Sequence, residues 1–211
     1  MPPTREERER ELLPELRRHA VPVTLLVVGG SLGLGVGAAT GATDWPVYAA
    51  VLLTGAVLVT TVHLRVGLSG LAIWGLVVFA LGHVAGGMVP VGDGVLYEQW
   101  LLDRIVRYDN LQHAWGFGFV GRAVWEGLRA QLAKAPDPRL AAAVVIVSAG
   151  CGLGAVNEVV EYLLTKILSE TNVGGYENTA RDLVANLVGA TTAAILTARA
   201  LPRRPRTGGV G

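Results

Sequence analysis

Four long stretches without a charged side chain constrain this chain more than any other feature of its sequence. Each has at least 18 residues, roughly the length that an α-helix needs to cross a hydrocarbon core about 30 Å thick. Only 17% of all residues are charged, against about 25% in average soluble domains. These observations exclude a water-soluble single domain and a disordered chain. The stretches cover residues 20–43, 45–64, 66–92 and 140–157.

The hydropathy pattern predicts an all-α integral membrane bundle of about six transmembrane helices. Prolines fall at or just outside the ends of several spans, where a missing amide donor costs little. The fourth span is the weakest, because its uncharged stretch covers only residues 110–121. A charged tail over residues 1–19 precedes the bundle, and a basic tail over residues 202–211 follows it. The spans are expected at about residues 20–42, 46–64, 68–90, 108–128, 139–168 and 181–201.

The positions of the basic residues predict the orientation of the bundle. With six spans, thirteen Lys and Arg residues lie on the side of the two termini and four lie on the opposite side. Cytoplasmic loops carry an excess of Lys and Arg. We therefore expect a multi-pass protein of the cell membrane with both termini in the cytoplasm. Without the fourth span this asymmetry would disappear.

Residues 95–107, between the third and fourth spans, mix apolar, aromatic and charged side chains. Such a mixture, with Tyr97 and Trp100 at the depth of the lipid head groups, suits a helix that lies in the outer membrane interface. A lid over the outer face of the bundle is the alternative for this segment.

Span one carries glycines at a four-residue period, which places them all on one helix face. Small residues at this spacing let two transmembrane helices approach closely. The pattern predicts tight helix packing and offers a face for a homo-oligomer. A dinucleotide-binding loop is excluded, because no strand precedes the glycines and no acidic residue follows at the required distance. The glycines are Gly29, Gly33, Gly37 and Gly41.

Ionisable side chains inside the spans are the strongest functional signal, because each costs at least about 2.5 kcal/mol at the centre of a helix. They occur at helical spacing from one another or, in one case, from an asparagine, so the two members of each pair share one helix face. In the six-span topology the pairs lie toward the outer leaflet, as does His83 in span three. The pairs are Asp109 with His113, Glu158 with Glu161, and Asp182 with Asn186.

We expect no comparable cluster in the cytoplasmic half of the bundle. There, Arg122 and Glu126 are spaced i,i+4 in span four and are expected to pair with each other.

Carboxylates packed together at low dielectric need protons or a cation. Carboxylate oxygens with one or two imidazoles form a ligand set for zinc, manganese, iron or magnesium, and such an ion can activate water or polarise a phosphoryl or acyl oxygen. A buried hydrogen-bonded network that only fixes the helix register is the structural alternative. The candidate catalytic residues are Asp109, His113, Glu158, Glu161, Asp182 and Asn186, with Asn186 orienting the others. The candidate metal ligands are His83, Asp109, His113, Glu158, Glu161 and Asp182.

The order of these motifs resembles that of the YjdF-type family of polytopic inner-membrane proteins of unknown function, and it is more distantly similar to that of the VanZ-like family. The resemblance covers residues 83–196. It implies a membrane protein without an assigned reaction, and the VanZ-like similarity implies a role at the cell envelope. The motifs are His83, Tyr108-Asp109-x-x-x-His113, Glu158-x-x-Glu161 and Asp182-x-x-x-Asn186-x-x-Gly189-Ala190.

Three functions remain open at this point, and whether the protein is an enzyme is one of the open questions. The first is an enzyme that acts on a lipid or lipid-linked envelope substrate, with a divalent metal ion assisting hydrolysis or transfer. The second is a transporter or proton-coupled permease that uses the same carboxylates as a relay. The third is a non-catalytic membrane partner protein. Membrane lipids are the expected partners, and no nucleic acid is expected.

Overall fold

The computed structural model describes Pro14 and residues 18–135, 137–167 and 174–202 of the chain. Six long helices lie within these residues, and five of them are long and apolar enough to cross a membrane. The prediction of an all-α membrane bundle is therefore confirmed. The two predicted tails lie almost entirely outside the described residues. The helices are α1 (Ala20–Thr40), α2 (Trp45–Val66), α3 (Gly70–Met88), α4 (Tyr108–Leu128), α5 (Pro138–Ile167) and α6 (Tyr176–Ala200).

The sixth long helix, α4, falls outside the apolar set because it carries polar side chains along its whole length. Its 21 residues span about 30 Å, the thickness of a hydrocarbon core. Neighbouring helices α3, α5 and α6 pack around it, so its polar groups face protein. This arrangement explains why hydropathy alone gives α4 the weakest signal.

Two short β-hairpins connect α3 to α4, and the interfacial helix expected over residues 95–107 does not form. Strand β1 (Pro90–Val91) pairs with β2 (Gly94–Val95), and β3 (Trp100–Leu102) pairs with β4 (Val106–Arg107). The turns contain Gly92 and Arg104, both with left-handed backbone angles (φ of 59° and 55°). Contacts between these hairpins and the helix bundle fix the hairpin conformation. Contacts between residues far apart in the sequence cannot be recognised from local amphipathicity.

The expected start of span six, near residue 181, also differs from the structure, because α6 begins at Tyr176. Its first turns are stabilised by an i,i+4 ion pair between Arg181 and Glu177, with 2.7 Å between Nη2 and Oε1. Charged residues end a hydropathy window, but they do not end a helix. The helix therefore extends beyond the apolar segment that the sequence shows.

Helices α4, α5 and α6 form the most closely packed part of the bundle. Glycines allow the helix backbones to touch: Gly189 faces the backbone of Ala114, and Gly121 faces the backbone of Ile146. Small residues at such positions replace the side-chain layer that normally separates two helices. Their close approach brings the polar faces of the three helices within hydrogen-bonding distance of one another.

The glycine face of α1 packs on α3 of the same chain, which confirms the expected close helix packing. A homo-oligomer through this face stays a prediction, and the structure gives it little support because α3 already covers most of the face. A four-residue glycine period indicates that a helix approaches, and it does not identify which one. Leu81 lies over Gly29, Val84 over Gly33 and Met88 over Gly37, whereas Gly41, which ends the helix with a left-handed φ of 85°, has no described atom over it.

Two ends of the bundle can be distinguished by these contacts. The hairpins lie at the end where α3 finishes and α4 begins, which we call the hairpin end. The opposite end, where α1 begins and α6 finishes, we call the terminal end.

Candidate functional site

The six candidate catalytic side chains come together at the hairpin end, between α4, α5 and α6. Two of them, Asp182 and Asn186, are fully buried, and His113 and Glu158 are buried as well. Asp109 and Glu161 are partly exposed. We call this group the carboxylate–histidine cluster, and its members are Asp109, His113, Glu158, Glu161, Asp182 and Asn186.

His113 occupies the centre of the cluster. Its Nε2 atom lies 3.6 Å from Oδ1 of Asp109, one helical turn earlier. On the other side of the ring, Nδ1 lies 3.2 Å from Oδ1 of Asn186 and 3.6 Å from Oε1 of Glu158. Because an amide oxygen can only accept, the Asn186 contact assigns a proton to Nδ1.

Asparagines fix the two aspartates. Nδ2 of Asn110 donates to Oδ1 of Asp182 (2.9 Å), and Nδ2 of Asn178 donates to Oδ2 of Asp182 (2.6 Å). The Asn178 amide also donates to Oδ2 of Asp109 (3.1 Å), so it bridges the two carboxylates. Sequence reasoning missed Asn178, although its i,i+4 spacing from Asp182 places both residues on one face of α6.

The two glutamates differ in how their carboxylates are satisfied. Glu161 accepts a hydrogen bond from Nδ2 of Asn157 (2.6 Å). Glu158 is 7% exposed, and neither of its oxygens accepts a hydrogen bond from the part of the chain that the structure describes. A buried carboxylate without donors is costly unless a proton or a cation lies beside it. His113 provides the nearest such group.

Among the residues that the structure describes, two overlapping sets of side chains have the geometry to hold a metal ion. In each set, one ligand atom per residue lies within 4.8 Å of the others, and His113 belongs to both. The first set is Asp109, His113 and Asp182, and the second is His113, Glu158 and Glu161.

His83, a candidate ligand from the sequence, belongs to neither set within the described residues. Its Nδ1 atom lies 2.5 Å from the phenolic oxygen of Tyr97, and its ring stacks on Tyr48 with 4.8 Å between ring centroids. The sequence placed His83 at the right depth, but depth does not say which way a side chain points.

Tyrosines line the side of the cluster that faces α2 and α3, and sequence reasoning missed them. The rings of Tyr48 and Tyr97 occupy the space above Gly87 and Gly86, where a Cβ atom would collide with them. Both phenols lie within electrostatic range of Asp109 and Glu161. Burial raises the pKa of the Tyr97 phenol well above its ordinary value, and the neighbouring acidic groups raise it further. Tyr97 therefore stays neutral and donates hydrogen bonds.

A smaller polar network lies at the terminal end, where none comparable was expected. Glu126 accepts hydrogen bonds from the backbone N–H and the hydroxyl of Ser69, each at 2.7 Å. The predicted pair is confirmed, with 3.0 Å between Nη2 of Arg122 and Oε1 of Glu126. Arg122 also donates to the Thr197 hydroxyl at 3.2 Å. Glu126 therefore has a structural role, because it positions Ser69, the N-cap residue of α3, and pairs with the partly exposed Arg122.

The comparisons with known proteins give one match. A family model described as "Predicted membrane protein (DUF2238)" matches residues 20–203. This finding confirms the resemblance to the YjdF-type family, and the VanZ-like similarity stays a prediction. No curated protein matches the chain, and no solved structure matches it.

Proposed function

The chain belongs to the DUF2238 family of predicted membrane proteins. Because this family description names no reaction, we propose the function of the protein from the geometry of the site. We propose a membrane-embedded enzyme in which Asp109, His113 and Asp182 hold a divalent metal ion. The enzyme hydrolyses or transfers the head group of a lipid or lipid-linked substrate.

The orientation of His113 is the observation that carries this proposal. A histidine that binds a metal typically donates its second ring N–H to a carboxylate or carbonyl, which fixes the ring and the tautomer. Here Nδ1 faces Asn186 and Glu158, and Nε2 faces Asp109 at 3.6 Å. Two ligands about 2.1 Å from one tetrahedral ion lie about 3.4 Å apart. The observed separation is close to that value.

The surroundings of the aspartates support the same location. Each carboxylate of the proposed ligand set accepts a hydrogen bond from Asn178, and Asp182 accepts a second one from Asn110. Hydrogen bonds of this kind orient the carboxylate ligands of known metal sites. One imidazole with two carboxylates favours zinc, manganese or iron over magnesium, which prefers oxygen ligands alone.

The remaining side chains have separate roles in this proposal. A bound ion would polarise a phosphoryl or acyl oxygen and lower the pKa of a water molecule. Glu161 is partly exposed and positioned by Asn157, so it serves as the general base that accepts the proton of the attacking water. Glu158 stands behind the imidazole and stabilises its orientation.

Membrane depth supports a lipid-linked substrate. Asp109 and Asp182 lie within the first two turns of α4 and α6, which places the cluster near the head groups if these helices cross the bilayer. The excess of basic residues on the side of the termini supports a cytoplasmic terminal end. The hairpin end and its cluster then face the outer leaflet of the cell membrane.

The transporter alternative receives less support, because no hydrogen bond among the described residues connects the two polar networks. His113 and Arg122 are separated by about 13 Å along α4, and the buried apolar residues Phe117, Ile146 and Ala190 lie in that interval. A proton or ion path through the bundle would need polar groups or water there.

Metal analysis of the purified protein tests the proposal. We expect about one zinc, manganese or iron ion per chain by mass spectrometry of the elements, and a loss of most of it in Asp109→Asn and Asp182→Asn. The matched control is Asp103→Asn, because Asp103 is exposed on the second hairpin. Helix content measured by circular dichroism shows whether each variant is folded.

Two outcomes contradict this assignment. Retention of the ion in both folded aspartate variants, with its loss in Glu161→Gln, would move the site to the second ligand set. A folded wild-type protein that takes up no ion after incubation with each of the three metals would remove the metal-dependent mechanism. In a separate experiment, activity is assayed with phosphatidylglycerol and a polyprenyl diphosphate, by release of their head groups.

A further inference from the structure

A groove of about 560 Å³ opens between α4 and α6 on the outside of the bundle. Its walls are mostly apolar and lie where the helices would face lipid. A volume of this size falls within the range of known ligand pockets, about 300–1,000 Å³. The apolar walls come from Leu111 and Ala114 of α4 and from Val184 and Val188 of α6.

Two charged side chains line the hairpin end of this groove, Arg181 and Glu177, and they form an ion pair with 2.7 Å between Nη2 and Oε1. Arg181 lines the groove, and its guanidinium lies 5.3 Å from the centre of the Trp100 ring. The guanidinium of Arg107 contacts the same ring at 4.7 Å. Within the described part of the chain, Nε of Arg107 is buried and has no hydrogen-bond partner. Because this atom is buried and Arg107 does not line the groove, Arg107 is not a contact of a ligand bound there.

The groove also reaches the carboxylate–histidine cluster. Asn110 lines the groove and at the same time donates its amide to Asp182. A molecule in the groove therefore lies against a residue that directly contacts the proposed metal ligands.

We propose that this groove binds one hydrocarbon chain of an anionic, phosphate-bearing lipid. The phosphate is held by Arg181, and the chain lies between α4 and α6. Guanidinium groups recognise phosphate oxygens through paired N–H donors, and the apolar walls match a hydrocarbon chain rather than a soluble anion. The identity of this lipid as the reacting substrate rests on the proposed function, whereas its binding requires no metal ion.

Photo-crosslinking in detergent tests the proposal directly. The probe is phosphatidic acid with a diazirine in one acyl chain, and the comparison probe is diacylglycerol with the same chains. We expect the phosphatidic acid to label peptides of α4 and α6 that line the groove. Diacylglycerol should label them about fivefold less, because each basic residue near a lipid surface contributes about 1 kcal/mol.

Two matched pairs of variants locate the binding site. Val188→Trp fills the groove and should lower labelling about tenfold, whereas Val156→Trp should leave it unchanged. Val156 lies on α5 outside the groove, with 56% exposure against 57% for Val188. Arg181→Gln should lower labelling about fivefold, and Arg104→Gln, which removes a charge from an exposed position on the second hairpin, should not.

The outcomes separate this inference from the proposed function. Equal labelling by the two probes would overturn the assignment of a phosphate. Labelling that Val188→Trp does not reduce would overturn the groove as the binding site. Both results can be obtained with metal-free protein. A chain that lacks metal but retains groove labelling would therefore contradict the proposed mechanism and leave lipid binding supported.

Discussion

Gly189→Ala should separate α4 from α6 without changing any side chain of the carboxylate–histidine cluster. A Cβ atom at residue 189 would collide with the backbone of Ala114, where its nearest neighbours are the carbonyl oxygen, the carbonyl carbon and Cα. Backbone atoms cannot rotate away as the end of a side chain can. The helices must therefore move apart by about 1.6 Å to restore ordinary van der Waals contact.

The structure gives the size of the effect. Overpacking at a closely packed position costs about 1–3 kcal/mol. The same movement stretches the 2.9 Å hydrogen bond between Asn110 and Asp182, which connects the two helices, and weakening a buried bond adds about 1 kcal/mol or more. We expect a loss of at least about 2 kcal/mol, or roughly 4–8 °C in Tm for a chain of this length.

Metal affinity should fall as well, because α4 contributes Asp109 and His113 while α6 contributes Asp182. Metal–ligand distances tolerate changes of only about 0.2 Å. Thermal unfolding in detergent and metal titration of the folded protein measure the two effects. The control is Gly152→Ala on α5, where no described atom lies within 4 Å of the added Cβ. Equal Tm values for the two variants, within about 1 °C, would refute the reasoning.

Three further predictions test separate parts of the structure. Stability should decline as the pH rises above about 10. The raised pKa of Tyr97 keeps its phenol neutral in the folded state, whereas the same phenol ionises in the unfolded chain. The denaturation midpoint of Tyr97→Phe should therefore depend less on pH in that range than the midpoint of the wild-type protein. Glu126→Ala should destabilise the protein by about 1–3 kcal/mol, because it removes the ion-pair partner of the partly exposed Arg122 and the acceptor of the Ser69 hydrogen bonds, yet metal content should not change. Gly33→Ile should lower Tm through a clash with α3, and analytical ultracentrifugation in detergent should show an unchanged oligomeric state.

The sequence predicted which six side chains come together in the carboxylate–histidine cluster. It did not predict which of these side chains contact one another, or which further residues contact them. Helical spacing put Asp109 and His113 on one face, and the arrangement of basic residues put the pairs at one depth. The spacing could not show that His83 turns toward Tyr97. It also could not show that Asn178, from a segment predicted to precede the span, reaches back to bridge two carboxylates.

The same limit applies to the segment before α4. Its composition indicated an interfacial location, and amphipathic composition alone favoured a helix over residues 95–107. The structure forms hairpins there, where the Trp100 ring contacts the guanidinium groups of Arg107 and Arg181 and Tyr97 is hydrogen-bonded to His83. These contacts join residues of different elements, and no local propensity encodes them.

The sequence by itself determined that this chain is a helical membrane protein, because uncharged runs of sufficient length leave hardly any other way to satisfy the backbone. It also determined that a few ionisable groups had to share one depth in the bundle. Only the tertiary structure decided which helices touch, and thereby which ring nitrogen of His113 faces Asp109. That choice depends on glycine contacts between distant helices, whose energies depend on the complementary shape of both surfaces and cannot be assigned to either sequence segment alone.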